Sequence, residues 1–313
     1  MEPYEVSTND LNVDDVGTAE CSTQKEIATV LCAVDLSDGS GRILDYASGI
    51  AATYGAGLYI AHVVPNLAWT LAPSAPKEQR EIIENAKMEL SHLAYCHGAR
   101  APQSRALVEQ GRPADLLLEM VQKYGIDLLV MGTHGRRGWH RFALGSVAEE
   151  VFRQSTCPVL TVGPRAQTRE LIFPIHQLLF ATDFSPESCS ALPYAFSLAR
   201  ENQARLTLLH LVHPAIQSPE ERRRIGESYK ARLRRLIPEE VECWCDVRCE
   251  VQFELTAEGI VLAAAADNAD MIILGVRGMG AFASFESHLP GPTAYGVVAD
   301  APCAVLTIRA LEV

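Results

Sequence analysis

The sequence predicts an α/β protein that consists of two tandem doubly wound, parallel five-stranded sheets with helices on both faces. Short apolar runs, such as residues 29–35, alternate with segments of helical periodicity, and this alternation is typical of parallel βαβ units. The pattern of the first half returns in the second half. A length of 313 residues is enough for about two domains, each with its own core.

The elements of the first half follow in a regular order. Five apolar runs predict buried parallel strands over residues 29–35, 58–64, 104–111, 127–131 and 158–163. Helices are predicted between them over about 40–54, along the stripe Ile83, Ala86, Leu90 and Leu93, from Pro113 onward, and over about 146–154. Ligands of such sheets bind at the carboxyl ends of the strands, where the strand order reverses.

An internal repeat divides the chain. Four segments return in the same order, with 178–185 repeating 31–37, 205–212 repeating 57–64, 270–278 repeating 127–135 and 304–308 repeating 158–162. The predicted organisation is therefore a flexible acidic tail over 1–26, a first domain over 27–165, a linker over 166–175 and a second domain over 176–313.

A glycine-rich loop joins the fourth strand to the fourth helix. Gly132, Gly135 and Gly145 allow backbone N–H groups to approach a ligand closely, and the helix dipole favours an anion there. Ser146 is predicted to be the N-cap of the helix, with Glu149 at the capping-box position. The loop also contains Arg136, Arg137 and Arg141, which suit a polyphosphate better than a single carboxylate.

The spacing Gly132-x2-Gly135-x9-Gly145-Ser146 resembles the ATP-binding signature of the universal stress protein family. The resemblance implies a Rossmann-like fold of the adenine nucleotide alpha hydrolase-like type, with ATP, with or without Mg²⁺, in the first domain. Carried onto this chain, the nucleotide-binding residues are Asp35, Val63, Val64, Met131, Gly132, His134, Gly135, Arg136, Gly145, Ser146 and Val147.

Two of these assignments have structural alternatives. Asp35 can accept hydrogen bonds from the adenosine part of a nucleotide, but it can equally N-cap the helix that follows. His134 can contact phosphate or act in proton transfer, or it is an exposed loop histidine without a catalytic role. Val63 and Val64 are assigned by resemblance alone, since nothing in their side chains requires a base.

The second half departs from the signature. Gly275 and Gly278 keep the first glycine pair, but His288 and Leu289 stand where Gly and Ser are expected. The pair Gly291-Pro292 follows three residues later, but proline has no backbone N–H that could donate a hydrogen bond to a phosphate. We therefore expect a degenerate nucleotide site in the second domain.

Composition limits the class of protein. A net charge of −12 argues against nucleic acid or an anionic membrane as a partner. No apolar run approaches the ~18 residues of a membrane span, and the start lacks the features of a secretory signal, so a cytoplasmic protein is expected. Nine cysteines suggest reduced thiols, with Cys32, Cys157 and Cys303 in the core. A further group, Cys243, Cys245 and Cys249, could bind a soft metal or be plain thiols.

These features predict an ATP-binding stress-response or regulatory module without catalytic residues. A slow Mg²⁺-dependent ATPase or phosphotransferase is one alternative, and an interaction protein that binds no nucleotide is another. The resemblance also implies that the two halves pair through their fifth strands as an intramolecular pseudo-dimer. A homodimer or other homo-oligomer through different faces, with Trp139 as a contact, stays open.

Overall fold

The structure is a computed structural model, and it describes residues 26–66, 75–97, 104–133, 144–166, 173–214, 218–276 and 292–309. The elements of the first half are β1 (Thr29–Ala33), α1 (Ser40–Tyr54), β2 (Gly57–Val64), α2 (Ala75–His97), β3 (Ser104–Gln110), α3 (Pro113–Lys123), β4 (Leu128–Gly132), α4 (Ser146–Gln154) and β5 (Val159–Val162). Each predicted strand and helix of this half is present, although β1 ends at Ala33 rather than at Asp35.

The second half repeats this order and adds two helices of four residues. Its elements are β6 (Gln177–Ala181), α5 (Pro186–Cys189), α6 (Leu192–Asn202), β7 (Arg205–Leu211), α7 (Pro219–Arg235), α8 (Glu239–Glu242), β8 (Val247–Gln252), α9 (Thr256–Ala266), β9 (Met271–Val276), α10 (Pro292–Asp300) and β10 (Ala304–Arg309). The tandem arrangement inferred from the sequence repeat is therefore confirmed.

All ten strands form one sheet in the order β3-β2-β1-β4-β5-β10-β9-β6-β7-β8. Neighbouring strands within each half are parallel, whereas β5 and β10 are antiparallel, with Leu160 opposite Leu306. The hydroxyl groups of Thr161 and Thr307 add hydrogen bonds across this junction, to the carbonyls of Val305 (3.2 Å) and Val159 (3.1 Å). The predicted pairing of the two fifth strands is confirmed.

The core of the protein crosses the junction. On one face of the sheet, a single apolar cluster extends from α1 through Leu160 and Leu306 to α6, so the two halves share one core there. On the opposite face each half has its own cluster, but Phe152 of α4 belongs to the cluster of the second half. The fully buried side chains at the junction exclude water from both sides of the sheet.

The connection between the halves is fastened at both ends. Arg165 forms an ion pair of 2.6 Å with Asp300, and Ala166 is buried and accepts a hydrogen bond from Arg42. After the connection, Phe173 packs against α1 so closely that a Cβ added at Gly49 would lie 1.9 Å from its ring. Residues 167–172 of the predicted linker, and the predicted acidic tail up to residue 25, lie outside the described ranges.

The described cysteines range from buried to exposed. Cys32, Cys157 and Cys303 are buried, as expected for core residues. Within the part of the chain that the structure describes, no three His, Cys, Asp or Glu side chains come together in a group that could hold a metal ion. Cys245 instead points its thiol at the carbonyl of Ala204, 3.4 Å away. No helix in the described ranges has the length and apolarity needed to cross a lipid bilayer.

Candidate functional site

The candidate site lies at the carboxyl ends of the strands in the first half. The chain runs from β1 outward to β3 and then returns to the other side of β1, so the strand order reverses between β1 and β4. Ala33 is paired with Met131 at this point, which brings the segments after both strands side by side. Such a reversal opens a crevice between the two connections, and ligands of α/β sheets bind there.

Asp35 organises the connection between β1 and α1. Its Oδ1 atom accepts hydrogen bonds from the backbone N–H of Ser37 (3.1 Å), from the Ser37 hydroxyl (2.6 Å) and from the Ser40 hydroxyl (3.1 Å). Gly39 is the N-cap of α1, so Asp35 does not cap this helix in the usual sense. The carboxylate is half-buried at the crevice, and these three donors fix its orientation.

The end of β2 forms a second wall of the crevice. The Nδ1 atom of His62 lies 2.8 Å from the carbonyl of Val34 and ties the end of β1 to β2. Val63 and Val64, assigned to the base of the nucleotide, are the last residues of the strand and are buried. The carbonyl of Val64 already accepts the N–H of Gly111, at 3.0 Å.

The start of α4 differs from the prediction. Gly145, not Ser146, is the N-cap residue, and Ser146 is the first residue of the helix. The predicted capping box with Glu149 is therefore wrong: the N–H of Glu149 makes an ordinary helical bond of 2.8 Å to the carbonyl of Gly145. Among the described residues no side chain caps this helix terminus, so the N–H groups of its first turn are not used by a cap.

The two ends of the glycine-rich loop are held together. The N–H of Gly145 donates a hydrogen bond of 2.8 Å to the carbonyl of Thr133, which directly follows β4. Met131 and Thr133 are buried, whereas Ser146 is exposed. The helix terminus is thus fixed beside the end of β4. His134, Gly135 and Arg136, like the other predicted contacts of this loop (Arg137, Trp139, His140 and Arg141), lie outside the described ranges.

Arg112 is a basic residue of this region that the sequence did not reveal. It precedes α3, and its guanidinium donates to Asp115 and to Glu150 of α4, both at 2.8 Å. The residue is exposed, so each ion pair contributes little to stability. Its geometric effect is to link the connection after β3 to the first turns of α4.

The second half keeps one part of this arrangement. The Oδ1 atom of Asp183 accepts hydrogen bonds from the N–H (2.9 Å) and hydroxyl (2.6 Å) of Ser185, as Asp35 does from Ser37. Gly275, the counterpart of Gly132, packs against α5: an added Cβ would lie 2.2 Å from the carbonyl oxygen of Glu187. Close packing of the backbone alone therefore explains why a glycine is retained at position 275.

The position of α10 shows where the second half departs from the glycine signature. α10 begins at Pro292 and has nine residues, like α4, which begins at Ser146. Gly291-Pro292 thus stands where Gly145-Ser146 stands in the first half, and the loop is three residues longer rather than ending at His288-Leu289. The proline removes one N–H from the helix terminus. Residues 277–291, including Gly278, are not among those described.

Three rings, those of Phe184, His210 and Tyr229, pack together near the end of β7. The ring of His210 lies 4.3 Å from the ring of Tyr229 and 4.6 Å from that of Phe184, and its Nδ1 is 2.8 Å from the carbonyl of Thr182. Burial of the imidazole, together with the nearby Arg232 guanidinium, lowers the pKa of His210 below its usual value. His210 thus has the structural task that His62 has in the first half.

The fold and the strand order define a tandem repeat of one doubly wound α/β domain. The model of the universal stress protein family matches residues 26–163 and again residues 174–309, so the chain belongs to this family and carries two copies of its domain.

Relatives confirm the assignment. Universal stress protein A homolog 1 of Coxiella burnetii is 33% identical over 138 residues, which are 42% of this chain and 94% of that protein. The universal stress protein encoded in the QAH/OAS sulfhydrylase 3' region of Thermus aquaticus is 34% identical over 138 residues, 43% of this chain and 97% of that protein. A crystal structure of a universal stress protein from Archaeoglobus fulgidus covers 90% of this chain and 98% of its own, with a TM-score of 0.66 and 19% identity, and shows the same fold.

Proposed function

We propose that the first half binds ATP in the crevice between β1 and β4, and that the protein acts as a nucleotide-binding stress-response module rather than as an enzyme. The observation that carries the proposal is the start of α4. Gly145 holds this helix terminus against the end of β4, and no described side chain occupies its first N–H groups. A helix terminus of this kind favours phosphate through its donors and its dipole.

The other end of the crevice suits a nucleoside. Asp35 offers a carboxylate of fixed orientation, which can accept hydrogen bonds from ribose hydroxyls or from an amino group of the base. Successive residues of a parallel strand direct their backbone polar groups to alternate sides. Because Ala61 accepts a bond from Val34 and Val64 accepts one from Gly111, the backbone polar groups of Val63 point toward the side of β1. A base can pair with the polar groups of Val63 there.

A Mg²⁺ ion would take most of its ligands from the nucleotide rather than from the protein. Asp35 stands two residues after the end of β1, and the described residues supply no group of three metal-ligating side chains. Mg²⁺ commonly binds through one or two carboxylates together with substrate phosphates. The predicted basic side chains of the loop, headed by Arg136, would balance the remaining phosphate charge.

The difference between the halves leads us to expect one nucleotide per chain. Ser146 begins α4 with a hydroxyl group and a backbone N–H, whereas Pro292 begins α10 with neither. The second domain is therefore proposed to be degenerate as a phosphate site. Its Asp183 keeps the orientation of Asp35, so the loss concerns the phosphate end.

The test is calorimetric titration of the full chain with ATP, followed by a measurement of phosphate release with and without Mg²⁺. One ATP per chain, without release, supports the proposal. Binding with steady release would show the slow ATPase or phosphotransferase instead. No binding at millimolar ATP would overturn the proposal and favour an interaction protein. A stoichiometry of two would show that the segment between Gly275 and Pro292 builds a second phosphate site.

A further inference from the structure

The helix that begins at the proposed phosphate site ends against the other half of the chain. α4 has nine residues, so its two ends are about 13 Å apart. Its last carbonyls point toward the edge at which the parallel strands of the first half begin. Because β5 and β10 are antiparallel, β10 of the second half ends at this same edge. The final residue of β10 is Arg309.

Arg309 closes the C-terminal end of α4. Its Nη2 atom donates to the carbonyl of Phe152 at 3.1 Å and also to the carbonyl of Arg153. These carbonyls are among the last four of the helix, which have no partner within it. A cation at this end also interacts favourably with the helix dipole. Burial lowers the pKa of the Arg309 guanidinium from its usual value, as expected for a charge held away from water.

A second contact fixes the same helix sideways. Phe152 is 4% exposed and belongs to the apolar cluster of the second half. Its ring lies 5.6 Å from the ring of Tyr295 in α10. The first half packs against α4 through its sheet and through α3, and the second half contacts the C-terminal end of the helix and the ring of Phe152.

The reciprocal contact is different. The residue that corresponds to Arg309 in the sequence repeat is Gly163, directly after β5, and it has no side chain to donate to α10. α10 is held instead by Arg165, which reaches the carboxylate of Asp300 at 2.6 Å and its carbonyl at 3.4 Å. Each half thus sends one arginine to the last helix of the other, but only Arg309 acts on the helix with the intact glycine loop.

We propose that Arg309 is a positioning residue of the proposed phosphate site, so that the second half, degenerate as a site itself, completes the site of the first half. The inference rests on the proposed function. Arg309 contacts no nucleotide. It holds α4 so that the N–H groups after Gly145 point to the phosphates. Without it, α4 adopts this position for part of the time, and the apparent affinity falls in proportion.

This mechanism predicts a loss that depends on the ligand. Phosphates contact α4, whereas the nucleoside contacts Asp35 and the end of β2, which Arg309 does not touch. In Arg309→Met, which keeps an apolar stem but no donor, we expect ATP affinity to fall about three- to tenfold if α4 is correctly placed for only about a tenth to a third of the time. Adenosine affinity should stay within about twofold. Arg309→Lys, which keeps a donor and a charge, should restore much of the ATP affinity.

The matched control is Arg165→Met, which removes the reciprocal arginine and should leave the affinity for both ligands unchanged. Hydrogen exchange of residues 146–154, measured without ligand, reports directly on the helix. It should become faster in Arg309→Met and not in Arg165→Met. A parallel loss of ATP and adenosine affinity, or an unchanged ATP affinity, would overturn the inference.

The hydrogen-exchange result also separates this inference from the proposed function. If the parent protein binds no ATP, the proposed function fails, and faster exchange in Arg309→Met alone would still support the hold on α4. Unchanged exchange in α4 of Arg309→Met would overturn the inference whatever the protein binds. Circular dichroism of each variant establishes that the sheet is intact before either measurement is made.

Discussion

Replacing Gly49 by alanine tests how tightly the connection is fastened to the first half. In the interior of a helix this substitution normally stabilises a protein by about 0.5–1 kcal/mol, because glycine has the larger unfolded-state entropy. At position 49, however, the new Cβ would lie 1.9 Å from one ring carbon of Phe173 and 2.2 Å from the next. Carbon atoms pack at about 3.5–4.0 Å, so the ring or the helix has to move by more than an ångström.

The cost of that movement decides the sign. Overpacking of a core costs about 1–3 kcal/mol, which exceeds the gain in helix propensity. Phe173 is 8% exposed and also contacts the Tyr46 ring edge-on at 6.4 Å, so the ring has little room to yield. We therefore expect Gly49→Ala to lower the free energy of unfolding by about 1–2 kcal/mol. Urea unfolding followed by circular dichroism measures this change.

A matched control and a double mutant make the test sharper. Gly226 lies inside α7, and a Cβ there would meet only Phe253, at 4.0 Å, so Gly226→Ala should stabilise by the usual amount of about 0.5–1 kcal/mol. Phe173→Ala alone should cost about 3–5 kcal/mol, and the double mutant Gly49→Ala/Phe173→Ala should cost less than the sum of its parts. Stabilisation by Gly49→Ala, or simple additivity, would refute the reasoning.

Three further predictions concern the site, the junction and the effect of pH. Gly145→Val should keep the fold but weaken ATP binding roughly ten- to hundredfold, because a lost donor or displaced backbone costs about 1–3 kcal/mol; an unchanged affinity in calorimetry would rule out the assigned site. Leu160→Lys places an ammonium group at a fully buried position opposite Leu306 and should destabilise the protein by several kcal/mol. Limited proteolysis and small-angle scattering should then show that the two halves separate more easily. A variant as compact and as resistant to protease as the parent would contradict the shared core. The pKa of His210 in the folded protein lies below its unfolded value of about 6.5, so the unfolded state binds more protons in acid. The urea midpoint of unfolding should therefore fall as the pH is lowered through 6.5 toward the folded pKa. In His210→Gln the midpoint should fall less.

Local patterns in the sequence were enough to predict the fold. The strands are short apolar runs, and the repeat of the segments around Asp35 and Gly132 announces two domains before any contact is known. The stripe with Ala86 and Leu90 faces the core as its spacing predicts. Even the junction followed from the resemblance, because Leu160 and Leu306 lie in the matching fifth strands.

Details that depend on one residue or on distant contacts were less accessible. Glycine and serine are both acceptable N-cap residues, so the sequence could not decide between Gly145 and Ser146. The sequence offered both His288-Leu289 and the later pair Gly291-Pro292, and only the start of α10 at Pro292 decided between them. The contacts of Arg112 with Glu150 and of Arg309 with the carbonyl of Phe152 join residues far apart in the chain, and no periodicity announces them. His62 was visible in the repeat, but its bond to Val34 required the register of the strands.

The antiparallel junction between β5 and β10 also determines which two domains pair with each other. A single repeat would leave the backbone donors and acceptors of its fifth strand available to any similar strand that it meets. Here β5 is bonded to β4 and β10, and β10 to β5 and β9, so each fifth strand has a neighbour on both sides. Because both halves belong to one polypeptide, dilution cannot separate them, and their effective concentration does not depend on expression level. Covalent linkage thereby favours pairing within the chain over pairing with a separate domain, and it keeps the domain that carries Arg309 beside the domain that carries α4.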